Sequence, residues 1–301
     1  MTSSPISSDE RFAAAFRNNF YFSDEWAGIF HAVTQYTVRH VAVGGAERYV
    51  MKDKLVGISN LGEEEAAALR QSRIGFLRVL PVVNSDAPRP SHFEYSIWFK
   101  KTYDEAVRGY KDSFRRAVRQ AERHDIRVIL HREYGAGLID RIYPLYERQM
   151  DRLNSFVFPQ SFFASFLRMP SAFCITIEHD STLIGYCFCA ENIDNLYPSV
   201  GGIEPAFFPL RAVNRMYDYL VRYACERGLN IHFGLGIRDS GFDKFKQHAG
   251  ATIYKVERHP HHPLLMALTV KASRLKWYGR ILRRLSKRNP ARVVYEVMPT
   301  T

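Results

Sequence analysis

The sequence predicts an α/β (α+β) fold: a mixed central sheet clothed by helices, followed by a basic helical tail. Three observations carry this reading. First, residues 183–256 alternate extended and helical patterns: strands at 183–190 and 196–202 flank the polar turn Asn192-Ile193-Asp194-Asn195, a helix at 211–227 stops at Gly228, and strands at 231–235 and 251–256 follow. A helix between neighbouring strands is how a chain makes parallel pairing. Second, 46% apolar and 14% aromatic residues supply a core and exclude a disordered chain. Third, the charge is lopsided: of the net +11, +8 lies in residues 259–301, where nine Lys or Arg face Glu296 alone. A near-neutral body with a basic appendage suits a polyanionic partner, nucleic acid or an anionic membrane.

The elements follow in order. Residues 11–36 read as mostly helical, with Phe12, Phe16 and Phe20 and then Trp26, Phe30 and Val33 at helical spacing and Ser23-Asp24-Glu25 as a second N-cap signal. Residues 38–43 and 48–58 read as strands about a Gly44-Gly45-Ala46 turn. A short helix at 63–71 and an apolar strand at 75–83 precede a loop at 84–92 that holds Pro88 and Pro90. Thr102-Tyr103-Asp104-Glu105 has the form of a capping box opening a helix to about His124. On it Arg108, Lys111, Arg115 and Arg119 share one face, suited to solvent or to phosphate. Residues 125–131 read as a strand, 137–153 as an amphipathic helix kinked or started by Pro144, 160–168 as an aromatic helix and 173–178 as the next strand. The expected divisions are 1–125, 126–258 and 259–301.

Cys174, Cys187, Cys189 and Cys225 have no metal-ligand spacing and are expected to be buried free thiols in a reducing compartment. Proline separates the histidines of His259-Pro260-His261-His262-Pro263, so no metal is expected there either. The first ten residues lack an apolar signal core, and no run of about 18 apolar residues occurs. The expectation is a soluble, cytoplasmic protein, or one peripheral to the inner face of the membrane. Residues 264–288 would serve the latter as an amphipathic helix, with Leu264, Leu268, Leu275, Leu282 and Leu285 near one side and Trp277 and Tyr278 as interfacial aromatics; 293–298 read as a last strand. No nucleophile elbow, phosphate-binding glycine loop or zinc helix motif is present. Enzymes that mainly position two substrates leave such weak signatures.

The order of elements from Phe173 to Val256 resembles the GNAT acyltransferase fold. Four strings are similar to its Fem-like branch, the aminoacyl-tRNA-dependent peptidyltransferases and related acyltransferases: Phe22-Ser23-Asp24-Glu25-Trp26, the run 113–123 from Ser113 to Arg123, the run 146–153 from Tyr146 to Leu153, and 241–251, which begins Gly241-Phe242-Asp243-Lys244-Phe245-Lys246. The resemblance implies a sheet of GNAT type in two GNAT-like halves, the first reduced. It implies acyl transfer to an amine, with the oxyanion stabilised by backbone donors or a cation. By the same match Lys246 is expected as phosphate or oxyanion partner and Phe245 as its shaping neighbour, while Tyr254 or Tyr197 could supply the leaving-group proton.

One departure bears on the donor. Ordinary GNAT enzymes hold the coenzyme A pyrophosphate on a glycine-rich loop at a helix N-terminus. The corresponding stretch here, 202–211, has Pro205 and Pro209 and no glycine after Gly202, so only Arg211 and Arg215 could replace the missing amides, with Arg115 and Arg119 as further phosphate-binding candidates. No bound cofactor is expected. The leading expectation is transfer from aminoacyl-tRNA, as co-substrate, to an amine or hydroxyl on a small-molecule or cell-envelope acceptor. The alternatives are an acyl-CoA or other thioester donor at a membrane surface, and a non-catalytic GNAT-like binding module.

Overall fold

A computed structural model describes residues 8–34, 36–43, 46–52, 54–83, 93–133, 135–153, 155, 157–237 and 240–259. The expected loop at 84–92, the Gly44-Gly45 turn and the tail helix and strand beyond His259 lie outside the described residues. Helix α1 (Ser8–Ala15), a 3₁₀ turn (Phe20–Phe22) and α2 (Asp24–Thr34) lead into β1 (Val38–Val43), β2 (Ala46–Met51) and β3 (Lys54–Ser59). Then come α3 (Glu63–Gln71), β4 (Gly75–Val83), β5 (Phe93–Trp98), α4 (Tyr103–Gly109), α5 (Asp112–Glu122) and β6 (Arg127–His131). Helices α6 (Ala136–Arg152) and α7 (Gln160–Leu167), strands β7 (Ala172–His179), β8 (Thr182–Glu191) and β9 (Asn195–Ile203), and a 3₁₀ turn (Pro205–Leu210) follow. The described chain closes with α8 (Ala212–Arg227), β10 (Asn230–Ile237), α9 (Gly241–His248) and β11 (Thr252–His259).

The strands form one eleven-stranded sheet in the order β1-β2-β3-β4-β11-β5-β10-β9-β8-β7-β6. Pairing is antiparallel except between β3 and β4 and between β9 and β10. Strand β5 was unassigned in the sequence reading. It lies between β10 and β11 and carries a strand from the first 125 residues into the centre of the C-terminal half. Its Tyr95, Ser96, Ile97 and Trp98 are all fully buried, so the alternation that reveals a half-exposed strand is missing.

Side chains alternate between two cores, as a strand period of two requires. On β7 and β8, Cys174, Tyr186 and Phe188 join α2, α6 and α7, whereas Phe173, Ile175 and Cys187 join α4, α5, α8 and α9. Cys174, Cys187 and Cys189 are buried free thiols and Cys225 is half-buried. Two expected elements are broken. Lys52, in a left-handed conformation (φ 55°), turns 48–58 into the tight hairpin β2–β3. The helix expected to run to His124 is interrupted at Lys111, whose backbone N–H leaves the helix for the His248 carbonyl at 3.0 Å. The capping box at Thr102 and Glu105 is formed, with Thr102 Oγ1 accepting from the Glu105 amide and the Glu105 carboxylate accepting from the Thr102 amide at 2.9 Å.

Candidate active site

Among the described residues the parallel strands β9 and β10 pair only at Asn195–Asn230 and Leu196–Ile231, then part. Both are bulged immediately past that point: the β9 register shifts around Pro198 and Ser199, and the β10 register around Phe233 and Gly234. Proline contributes no ladder N–H, and Gly234 adopts φ 75°, so both sequences favour a bend where the strands separate. The result is a V-shaped gap in the sheet.

A buried polar cluster fixes the vertex. The Tyr197 ring stacks on His232, with centroids 4.7 Å apart and an interplanar angle of 23°. His232 Nε2 donates to the Ala15 carbonyl at 2.8 Å, and the Tyr95 hydroxyl donates to Nδ1 at 2.9 Å. That network needs a neutral imidazole, and burial lowers the His232 pKa to about 4. The Tyr197 hydroxyl accepts from the Phe20 amide at 3.3 Å, and Asn195 Nδ2 donates to the Arg17 carbonyl at 3.3 Å. Residues 15–20 are thereby held across one face of the gap.

Lys246 reaches the gap from the other face. Ser240 caps α9, its hydroxyl accepting from the Asp243 amide at 3.2 Å. One turn on, the Lys246 ammonium donates to the carbonyls of Gly234 (3.3 Å) and Leu235 (3.2 Å) on β10, 3.8 Å from the Asp243 carboxylate. Its side chain is fully buried, and burial lowers its pKa to about 8 while Asp243 pulls it back up. Gly236 makes room for this pair: a Cβ there would lie 1.8 Å from Asp243 Oδ1. Lys246 is therefore at the gap, but its ammonium is sealed behind β10 rather than displayed at the mouth.

The other expected site residues are dispersed. Phe245 packs in the α5–α8–α9 core against Phe114 and Tyr217, with centroids 5.3 and 4.9 Å away. Tyr254 is buried on β11 against Phe12, centroids 4.8 Å apart, and β5 separates its strand from β10. Tyr197 is the tyrosine on a strand that borders the gap. Arg211 Nε donates to Gln120 at 3.3 Å, and Arg215 lies 3.5 Å from Asp218 and 3.7 Å from Glu122. Arg115 caps the end of α4 by donating to the Tyr110 carbonyl at 3.0 Å. Arg119 is exposed on α5 about one turn from Arg116 and Arg123, and all three are exposed, as are Arg108 on α4 and Lys111 before α5. The sequence reading missed His232, Tyr95, Asn195, Asp243 and Gly236, although Pro198 and Gly234-Leu235-Gly236 signal irregular strands.

Two cavities adjoin β9. One, of about 210 Å³, lies beyond the vertex between β9, α2, α6, α7 and β3, and is lined mainly by apolar side chains. The other, about 60 Å³, lies at the end of β9. There Gln149 donates to the Gly201 carbonyl at 3.1 Å and accepts from the Tyr186 hydroxyl at 2.7 Å, and Arg148 pairs with Glu204 at 3.0 Å. Among the described residues, no group of three His, Cys, Asp or Glu could hold a metal ion, and no helix is long and apolar enough to cross a membrane.

This geometry has counterparts. Residues 108–255 match the acetyltransferase (GNAT) domain family. The fold is similar to that of FemX, at 13% identity and a TM-score of 0.59 over 85% of this chain and 95% of that one. It is also similar to L-PGS from Bacillus licheniformis, at 10% identity and a TM-score of 0.51 over 84% of this chain and 96% of that one. No curated protein matches the sequence. Residues 108–255, just under half of the chain, thus carry a GNAT acyltransferase domain, set in a fold similar to that of FemX that runs beyond it on both sides.

Proposed function

We propose that the protein transfers an aminoacyl group from aminoacyl-tRNA to an amine or hydroxyl of a small or cell-envelope acceptor, at the gap between β9 and β10. The observation that carries the proposal is this gap, two ladder pairs deep, with a buried lysine bound to its β10 edge. Beyond Leu196 and Ile231 the described residues of β9 and β10 form no ladder pair, which leaves backbone donors along the gap for an oxyanion to use. The acceptor lone pair attacks the donor carbonyl carbon. Negative charge then builds on oxygen on the gap side of β10, and the Lys246 ammonium enclosed behind that strand acts on it through a low-dielectric setting where its field is weakly screened. As the tetrahedral species collapses, the bond to the ribose oxygen breaks, that oxygen takes up a proton, and the attacking nitrogen or oxygen gives up its own to water. Burial raises the Tyr197 pKa, so Tyr197 keeps its proton at neutral pH and can donate it.

Two features favour tRNA over coenzyme A. Where a pyrophosphate would bind at the end of β9, Gln149 fills the space and Arg148 is engaged by Glu204. On α5, by contrast, an exposed cationic row offers contacts for a phosphate backbone. The test uses the full chain with labelled aminoacyl-tRNA or labelled acetyl-CoA and hydroxylamine as a generic acceptor. Transfer from aminoacyl-tRNA that ribonuclease abolishes is the expected result. Ribonuclease-resistant transfer from acetyl-CoA overturns the donor assignment, and a Lys246→Ala variant as active as the parent overturns the role of the lysine.

A further inference from the structure

We propose that the exposed ring of Phe242 stacks on a purine base of the acyl donor, the base borne by the same ribose whose oxygen carries the acyl group. This deepens the acyl-transfer reading and rests on it for the position of the reacting carbonyl. A single exposed apolar side chain is ordinary on any protein surface, so position has to single this one out. Phe242 is 47% exposed and lies on α9, about one turn before Lys246. The Lys246 ammonium sits over its ring, 4.5 Å from the centroid. Tyr217 of α8 meets the ring edge-on, with centroids 6.2 Å apart and an angle of 80°, and Phe245 lies parallel to it at 6.4 Å. These neighbours fix the plane of the ring and still leave about half of the residue open.

The ring also stands in the right place. Helix α9 packs on β10 and β5, and α8 packs on β9 and β10. The contact between Phe242 and Tyr217 joins the two helices, so the ring spans the line along which β9 and β10 part. A Cβ built at Gly234, on the β10 bulge, or at Gly241, next to Phe242, meets nothing among the described residues within 4 Å. Space is therefore open beside the bulge and at the start of α9. A fixed aromatic ring beside open space binds a flat π-system, and every nucleobase presents one.

Distance separates the two donors that carry a purine. The ring is 4.5 Å from the ammonium that acts on the developing oxyanion, so a base stacked there is only a few bonds from the reacting carbonyl. The terminal adenosine of an aminoacyl-tRNA meets that condition, because its own ribose bears the acyl group. In coenzyme A the whole pantetheine arm lies between the adenine and the thioester. The α5 helix leads to the same place: its Phe114 packs on Phe245 with centroids 5.3 Å apart, and its Arg116 and Arg119 are exposed for a phosphate backbone.

The experiment uses adenosine 5′-monophosphate as the probe, with the full chain and no acceptor. In Phe242→Trp, which keeps a stacking surface, the probe is expected to quench the emission added by the substitution, with saturation. Ribose 5-phosphate, which lacks the base, is expected not to quench it. By calorimetry Phe242→Leu is expected to weaken binding of the probe roughly fivefold to a hundredfold, and Phe242→Tyr to bind as the parent does. Circular dichroism and the melting midpoint confirm that each variant is folded. In the transfer assay Phe242→Leu is expected to raise KM for aminoacyl-tRNA by a similar factor and to leave KM for hydroxylamine unchanged. No quenching by the probe, equal quenching by ribose 5-phosphate, or a folded Phe242→Leu that binds the probe like the parent overturns the inference. A raised KM for acetyl-CoA alone gives the base to coenzyme A and overturns the assignment to the acylated ribose. Probe binding needs no transfer, so stacking without transfer defeats only the acyl-transfer reading. Transfer with an unchanged donor KM in Phe242→Leu defeats only this inference.

Discussion

A buried ammonium is costly unless its partners are close, and Lys246 has two carbonyls and one carboxylate within 3.8 Å. Its pKa in the folded chain, about 8, lies below the ordinary 10.5. The unfolded chain therefore binds more protons between these values, and stability rises with pH across that window. The penalty is fully present below pH 8 and is relieved by up to ~3 kcal/mol toward pH 10.5. Urea midpoints at pH 7.5 and pH 10, compared between the parent and Lys246→Met, read this difference; equal shifts in both proteins would remove Lys246 as its source. The same titration predicts that kcat/KM declines above about pH 8 as the cation is lost. Gly236→Ala forces a methyl onto the Asp243 carboxylate and is expected to cost at least ~2 kcal/mol, seen as a lower denaturant midpoint. At this scale the sequence put Lys246 forward by resemblance alone and was silent for His232, because nothing local marks a histidine whose partners come from Tyr95 and Ala15.

Among the elements, the vertex clamp does the positioning. His232→Phe keeps the ring but removes the bonds to Ala15 and Tyr95, leaving a buried carbonyl and hydroxyl without that partner. The expected loss is roughly 2–4 kcal/mol, with faster hydrogen exchange at the amides of residues 16–20. Unchanged exchange there would show that the segment is held by its aromatic packing alone. Helices with strong local signals began where expected: Gly62 and three glutamates start α3 at Glu63, and Thr102 starts α4. Elements were misjudged where a distant partner intervened. Lys111 breaks its helix to reach His248, and β5 is so completely buried that its sequence has no period.

Across the whole molecule, one sheet separates the side covered by α2, α6 and α7 from the side covered by α4, α5, α8 and α9. If the α5 face receives tRNA, Arg116→Glu, Arg119→Glu and Arg123→Glu together should weaken tRNA binding and flatten its salt dependence by about two to three phosphate contacts. Because the three side chains are exposed, each should shift folding stability by no more than about 0.5 kcal/mol. Salt-independent binding in the parent would exclude the face. The sequence alone determined the alternation of strands and helices, the basic tail, the buried thiols and the likeness to GNAT acyltransferases, since each is written in residues near one another along the chain. Only the tertiary structure decided that β5 lies between β10 and β11, that Tyr254 stands away from the gap while Tyr197 forms its vertex, and that Lys246 is enclosed. Those outcomes depend on strand order and on where two bulges bend two strands apart, and such long-range choices are made by packing rather than by local pattern.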